Sequence, residues 1–344
     1  MASRAPDAGR PPRMAKYPET NMIRQLFLGA LLCSGVGTAA LAQTSYPERP
    51  VTIVAPFAPG GNTDFVIRSV SELLAKSLGK PVIVENRAGA GGVIGTAYVA
   101  HAKPDGYTLL LASTGTNAMA NAVSKRIAYD GVKSFTVLGG LTTNPAVLTI
   151  STQNPANDFA GFKAYAQHKE GGVSLGTAGV GSFTHLAAEM LRTAGGLPMT
   201  PVAYKGTGPA ATDLMGHTID GMVDQITTAL PLIREGRVKA IAQLGQTRSP
   251  LLPDVPTIAE QGVNGAEATL YTGVFGPAGL DPAVAAKLSA ALQEALRDPA
   301  LQKRYRDMGA EPWMQDQAAF QRHVDAEAAH WVEAARKSNV SIDD

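Results

Sequence analysis

The sequence predicts an α/β fold built as two series of alternating strands and helices. Three observations predict it. Short apolar, β-branched runs alternate with stretches of helical period; glycines and small polar residues stand where strands give way to helices; and two extended joins, near Asn144–Thr149 and Ala268–Phe275, link one series to the other. Two crossings between two bodies leave a cleft between them. In open parallel sheets, ligands bind beyond the carboxyl ends of the strands. A length of 344 residues suits two domains better than one core.

In chain order, Val51–Pro56 reads as a strand. Asp64–Leu78 reads as a helix with Val66, Val70, Leu73 and Leu74 on one face, stopped by Gly79 with Pro81 beyond. Pro81–Glu85 is a strand, Gly92–Ala100 a short helix and Tyr107–Ala112 a third strand. This βαβαβ opening calls for a mainly parallel sheet with right-handed crossovers. In the second series Phe135–Leu141 and Ala146–Ile150 read as strands, Phe159–His168 as a helix, Val173–Gly176 as a strand, and Phe183–Ala194 as a helix closed by Gly195-Gly196. Thr200–Tyr204, Gly221–Val223 and Val238–Leu244 are strands. "LLPDVPTIAEQG" is a Pro-broken surface stretch. Ala268–Phe275 is extended, turned by Gly276 to Gly279, and Pro282–Leu296, Leu301–Met308 and Gln317–Lys337 are helices. The last carries Phe320, Val324, Trp331 and Ala335 on one stripe.

The first 42 residues read as a leader outside the fold. Met22-Ile23-Arg24 opens a basic segment, Leu26–Ala42 is apolar, and Ala40-Leu41-Ala42 is a small-x-small cleavage site before Gln43. Glycines and polar residues break this run, which argues against a membrane anchor. Residues 1–21 are polar and rich in Pro and Arg, so the start could be Met1, Met14 or Met22. The one cysteine, Cys33, falls in the leader, which leaves the mature chain no disulfide, thiolate chemistry or cysteine-ligated metal. The whole chain carries a net charge of +1; removing the leader leaves −2, no electrostatic footprint for nucleic acid. An exported, disulfide-free chain of this kind points to the bacterial periplasm.

Four turns carry the chemistry: "PFAPGGNTD" (56–64), "ASTGTNA" (112–118), "GTAGVGSFTH" (176–185) and "YKGTGPA" (204–210). Each aims backbone N–H groups and hydroxyls into the space beyond the sheet. Helix N-termini leave backbone donors unpaired and carry positive partial charge, so they hold carboxylates or phosphates without a lysine. Asn62, Thr63 or Asp64 is expected to cap the first helix. One such turn is ordinary capping; four, two in each series, point to a shared anion site.

Other motifs carry less. "AGAGGVIG" (88–95) imitates a dinucleotide fingerprint, but the acidic residue expected about 20 positions on is missing from Leu109–Leu111. "KGTGPA" places its lysine before the glycines and is not a phosphate loop. Thr184 stands where a G-x-S-x-G elbow around Ser182 needs glycine. His323 and His330 lie seven apart on a helix without a carboxylate-rich ligand set, so no metal is expected, and no cofactor. His185 at a helix start is either a ligand contact or a packed histidine. Tyr204, Tyr271 and Phe57 are candidates for a cleft wall or for core.

Six segments in order resemble the Bug-type extracytoplasmic solute receptors of tripartite tricarboxylate transporters: "YPERPVTIVAPFAPGGNTD", "VENRAGAGGVIGTAYVAHAKPDGYTLLLAS", "GTAGVGSFTHLAAEML", "PVAYKGTGPAATDLMGHTID", "DVPTIAEQGV" and "FGPAGLDPAVAAKL". They run along nearly all of the mature chain. The resemblance implies a periplasmic-binding-protein-like, Venus-flytrap fold with a ligand cleft between lobes. The boundaries expected are 43–145 plus 268–344 for lobe 1 and 146–267 for lobe 2. It implies a small carboxylate ligand (dicarboxylate, tricarboxylate, aromatic acid or acidic amino acid), held largely by backbone groups, hydroxyls and water from both lobes. That maps onto Gly60, Gly61, Asn62, Thr63, Asp64, Ser113, Thr114 and Thr116, and in the other lobe onto Thr177, Gly181, Ser182, His185, Lys205, Gly206 and Thr207. Where the family often has Trp near the return crossing, this chain has "ATLYTGVF", which gives that role to Tyr271. The expected protein is a monomer and a non-enzyme that closes on its ligand and delivers it to membrane permease subunits. A ligand sensor for a two-component system, or an exported α/β enzyme acting on a carboxylated substrate, would use similar parts.

Overall fold

The computed structural model describes residues 1–2, 46–123 and 126–338. The chain divides into two units, Met1–Tyr46 and Pro47–Asp344. The described strands and helices all lie in the second unit. The leader expected over 1–42, Cys33 included, lies outside the described residues apart from Met1 and Ala2.

β1 (Val51–Ala55) is apolar and almost wholly buried, as a central parallel strand must be. It pairs in parallel with β2 (Val82–Asn86) on one side and β3 (Thr108–Ser113) on the other. α1 (Asn62–Leu78) crosses between β1 and β2, burying Val66, Val70 and Leu74, and ends at Gly79 with φ +69°. α2 (Val93–Ala100) and the short α3 (Ala120–Val123) follow on either side of β3. A second parallel group repeats the plan: β5 (Val173–Thr177) lies between β6 (Met199–Ala203) and β7 (Gly221–Gln225). Its helices are α4 (Phe159–His168), α5 (Phe183–Thr193), α6 (Thr207–Met215) and α7 (Ile226–Arg234).

The two groups are joined by β4 (Phe135–Ser151) and β9 (Thr269–Pro277). β9 pairs antiparallel with β3 and with β4 over Phe135–Pro145. From Ala146 on, β4 pairs antiparallel with β7 and with β8 (Val238–Gln243). The sheet order is β2-β1-β3-β9-β4-β7-β5-β6, with β8 and the two-residue β10 (Glu311–Pro312) also on β4. The strands read separately as Phe135–Leu141 and Ala146–Ile150 are therefore one 17-residue strand. Thr142 to Pro145, between the two stretches read as strands, keep their partners Thr272 to Thr269, with register shifts beside Gly139 and Gly140.

Each group has its own core. Val54, Leu110, Phe275, Phe320 and Val324 pack in one, and Leu148, Leu175, Phe183, Leu191 and Val223 in the other. α8 (Pro282–Leu296), α9 (Pro299–Asp307) and α10 (Gln317–Ser338) complete the fold. Phe320 and Val324 are buried as the stripe on α10 predicted. Among the described residues no helix is long and apolar enough to cross a membrane.

Candidate functional site

The four glycine turns meet beyond the strand ends. Ala58 N–H donates to the Lys205 carbonyl at 2.9 Å, so the first and fourth turns are hydrogen-bonded to each other. A Cβ on Gly61 would stand 3.1 Å from Thr207 Oγ1, and one on Gly115 would stand 2.7 Å from Phe183 N. Absent side chains let these backbones approach.

A cavity of about 30 Å³ lies between them, lined by Phe57, Gly61, Asn62, Thr63 and Ser113 from the first group, Ala178, Ser182, Phe183, Thr184, Thr207 and Gln225 from the second, and Leu270 at the return crossing. No lining side chain is charged. Four helices begin here, α1, α5, α6 and α7; Ser182 caps α5, whereas Gly61, Gly206 and Gln225, the N-caps of the other three, make no side-chain capping bond. Elsewhere Asp158, Asp281 and Asp298 cap α4, α8 and α9 in the ordinary way. The expectation that Asn62, Thr63 or Asp64 caps α1 is corrected: all three already lie inside the helix, and the cap position falls to Gly61. The cavity thus faces helix starts whose first N–H groups no cap side chain takes.

Six of the sequence-predicted residues line the cavity: Gly61, Asn62, Thr63, Ser113, Ser182 and Thr207. Asn62 Oδ1 accepts from Thr227 Oγ1 at 2.7 Å and from Asn144 Nδ2 at 3.2 Å, joining α1 to α7 and β4. Its Nδ2 is buried without a partner. Ser182 caps α5, accepting from His185 N–H at 3.3 Å, and lies 3.2 Å from the Thr184 hydroxyl.

The other predicted residues build the walls. Gly60, at φ +84°, donates its N–H to Asp64 Oδ2, while Asp64 Oδ1 accepts from Arg68 Nε at 2.8 Å and Asn86 Nδ2 at 3.0 Å. The Asp64 carboxylate is committed to holding its own turn. Thr116 Oγ1 accepts the Ser113 N–H and donates to Asn117 Oδ1, and Thr114 Oγ1 accepts the Tyr271 N–H. Thr177 is buried at the end of β5. Gly181 N–H donates to His185 Nδ1 at 3.1 Å, which leaves Nε2 to carry the proton of the neutral ring. Burial lowers the His185 pKa below its ordinary value, with Glu189 pulling the other way. Gly206 has φ +152°, and its missing Cβ leaves room for Ala58. Lys205 is exposed and enters the seam through its carbonyl. Tyr271 does not line the cavity: it is buried edge-on against Phe320, with ring centroids 5.5 Å apart, beside His323 and Trp313. Tyr204 donates to Asp213 Oδ2 at 2.6 Å, and burial together with that carboxylate pushes its phenol up to about 12.

Ala178, Phe183, Thr184, Gln225 and Leu270 also line the cavity, although sequence reasoning did not name them as site residues. Thr184 was visible as the residue that breaks the G-x-S-x-G pattern. Gln225 was hidden because Pro231 inside α7 masks that helix in sequence. Among the described residues no three His, Cys, Asp or Glu side chains gather as a metal site would need.

Two parallel groups joined by two crossing strands, with uncapped helix starts facing an uncharged cavity, define a solute-binding receptor of the two-lobed class. The chain belongs to the tripartite tricarboxylate transporter family of receptors, whose family model it matches over residues 66–340. It is 38% identical over 309 residues, 90% of this chain and 88% of the other, to a protein encoded in the TAR-I ttuE-ttuC' intergenic region of Agrobacterium vitis. Among solved structures it is similar to the periplasmic binding protein BugD, with TM-score 0.83 and 38% identity over 86% of this chain and 99% of that one. It is also similar to MatC from Rhodopseudomonas palustris with bound malate, with TM-score 0.81 and 37% identity over 84% of this chain and 99% of that one.

Proposed function

We propose that this receptor works in the periplasm, captures a small carboxylate in the cavity between the glycine turns, and hands it to the permease subunits of a tripartite transporter. The observation that carries the reading is the meeting of three uncapped helix N-termini with the Ser113, Ser182, Thr184 and Thr207 hydroxyls around a cavity without a charged side chain. Such a wall is neutral overall yet presents N–H and O–H donors, which suits an anion. The carboxylate in the related MatC structure supports this class of ligand. A few charge-assisted hydrogen bonds at about 1.5–3 kcal/mol each reach the roughly 8 kcal/mol of micromolar binding after ordering costs. The protein binds rather than catalyses in this reading.

A cavity of about 30 Å³ holds about two waters at ~10–15 Å³ each. A dicarboxylate is larger, so entry requires the turns to part and return. We assign that motion to bending of β4 and β9 between lobes 43–145 plus 268–344 and 146–267, a hinge closure driven by better ligand contacts in the closed form. The test is a thermal-shift and calorimetric screen of residues 43–344 against malate, adipate, citrate and acidic amino acids. A ligand at 100 times its Kd adds about 2.7 kcal/mol. Ser182→Ala and Gly61→Val each weaken the hit; unchanged affinity in both removes these turns from the site.

A further inference from the structure

One ionisable group stands directly behind the cavity wall. Asp224 is 1% exposed, on β7, between the lining residue Gln225 and the buried strand interior. Its Oδ1 accepts the Gln225 N–H at 2.7 Å. Its Oδ2 is buried without a hydrogen-bond partner of ordinary geometry. Burial raises this carboxyl to about 6, although the nearby Thr228 hydroxyl, the Gln225 N–H and the Thr207 hydroxyl favour the ionised form. Among the described residues no Lys, Arg or His pairs with it. Val147 faces it on β4, and β5 carries no titratable side chain. On the helices packed on β7, His185 is bonded to Gly181, Glu189 to Arg192, and Asp213 to Tyr204; Arg234 ends α7, and Asp64 and Arg68 on α1 hold each other. None of these groups bonds to Asp224.

We propose that Asp224 carries a proton in the ligand-loaded receptor, so that capture of a carboxylate takes up one proton from the medium. This rests on the carboxylate reading of the same cavity. An anion seated against Thr207 and Gln225 places a second negative charge beside a buried carboxylate that has no counter-ion, and two such charges do not both persist in one desolvated site. The Thr207 hydroxyl has a single proton to give. With Asp224 ionised, that proton is drawn inward to the carboxylate and the hydroxyl turns lone pairs toward the ligand. With Asp224 protonated, its O–H donates to Thr207 Oγ1, and the Thr207 proton is free to face the ligand. The proton moves from solvent to Asp224 Oδ2, and no other bond changes. Asp224 is not itself a lining residue and acts on the ligand through its neighbours Thr207 and Gln225.

The experiment is calorimetry of the 43–344 protein with malate at pH 7, in two buffers of different ionisation heat, on wild type, Asp224→Asn and His185→Gln. The expected result is uptake of more than about half a proton per malate in wild type and in His185→Gln, and none in Asp224→Asn. Wild-type affinity falls by up to about tenfold per pH unit above pH 6 while that of Asp224→Asn stays flat. A ligand-free readout accompanies it: Asp224→Asn gains melting temperature relative to wild type as the pH rises from about 4 to 6, the window between the ordinary and folded pKa values. Malate binding without proton uptake, or uptake that survives in Asp224→Asn or vanishes in His185→Gln, overturns the inference and leaves the receptor reading standing. If no carboxylate binds, both fall. Should Asp224→Asn not fold, the wild-type and His185→Gln buffer pairs decide the matter alone.

Discussion

Replacing Gly91 with alanine should separate closure from folding. Gly91 has φ +62°, and a Cβ there would stand 2.1 Å from the Val180 carbonyl oxygen and 3.1 Å from Ser182 N. Ordinary contact begins near 3.4 Å, so the backbones must part by about 1.3 Å, and both neighbours are backbone atoms that cannot swing aside. The left-handed conformation costs an alanine about 1–2 kcal/mol wherever the turns stand. The parting costs more, but only when they meet: the nearby Ala58–Lys205 hydrogen bond at 2.9 Å stretches, worth about 1 kcal/mol, and ligand bonds across the same seam lengthen with it. A closure penalty of roughly 1.4–3 kcal/mol lowers affinity about ten- to a hundredfold. Calorimetry with malate reads the affinity, and small-angle scattering with and without ligand reads the shape. Gly79→Ala is the control, since Gly79 has φ +69° but nothing within 4 Å of its would-be Cβ: it should lose stability and keep affinity. Wild-type affinity in Gly91→Ala would refute the reasoning.

Two further outcomes concern side chains away from the cavity. Burial raises the Asp220 carboxyl, but Lys169 Nζ at 2.6 Å and the N–H and hydroxyl of Ser174, each at 2.7 Å, outweigh it and hold the pKa below the ordinary value. Its stabilisation is therefore present above the ordinary carboxylate range and lost as the pH falls through the folded value. Asp220→Asn should lower urea stability at pH 7 by about 1–3 kcal/mol, and a gap that stays as wide at acid pH would contradict the assignment. Tyr271→Phe removes a buried hydroxyl without a partner; stability should hold or rise by about 1 kcal/mol and malate affinity should not change, whereas a loss of affinity would return Tyr271 to the site.

The parallel groups were legible because their signals are local. Val51 to Pro56 cannot be much but a buried strand, and the period of Val66, Val70 and Leu74 fixes the face of α1. β4 reads as two strands, Phe135–Leu141 and Ala146–Ile150; what makes it continuous is its distant partner β9, which no local window contains. α7 was missed for a related reason: Pro231 forfeits one helical bond, and burial of Ile226 and Leu230 against Val147 and Leu252 keeps the helix regardless. Of the site, sequence alone named the glycines and hydroxyls at the turns. It did not reveal that Asp64, Thr114 and Thr116 commit their polar atoms to protein partners, because that depends on residues such as Asn86 and Tyr271 brought in by folding.

β4 runs unbroken from Phe135 to Ser151, hydrogen-bonded to β9 at one end and to β7 and β8 at the other. It is a keel common to both halves. No cut of the polypeptide near residue 145 frees two halves with complete sheets, since β9 goes with the C-terminal fragment while its partners, β3 and Phe135–Pro145, stay in the N-terminal one. Denaturant should therefore melt the receptor in one cooperative step, and separately expressed halves should gain order only when mixed.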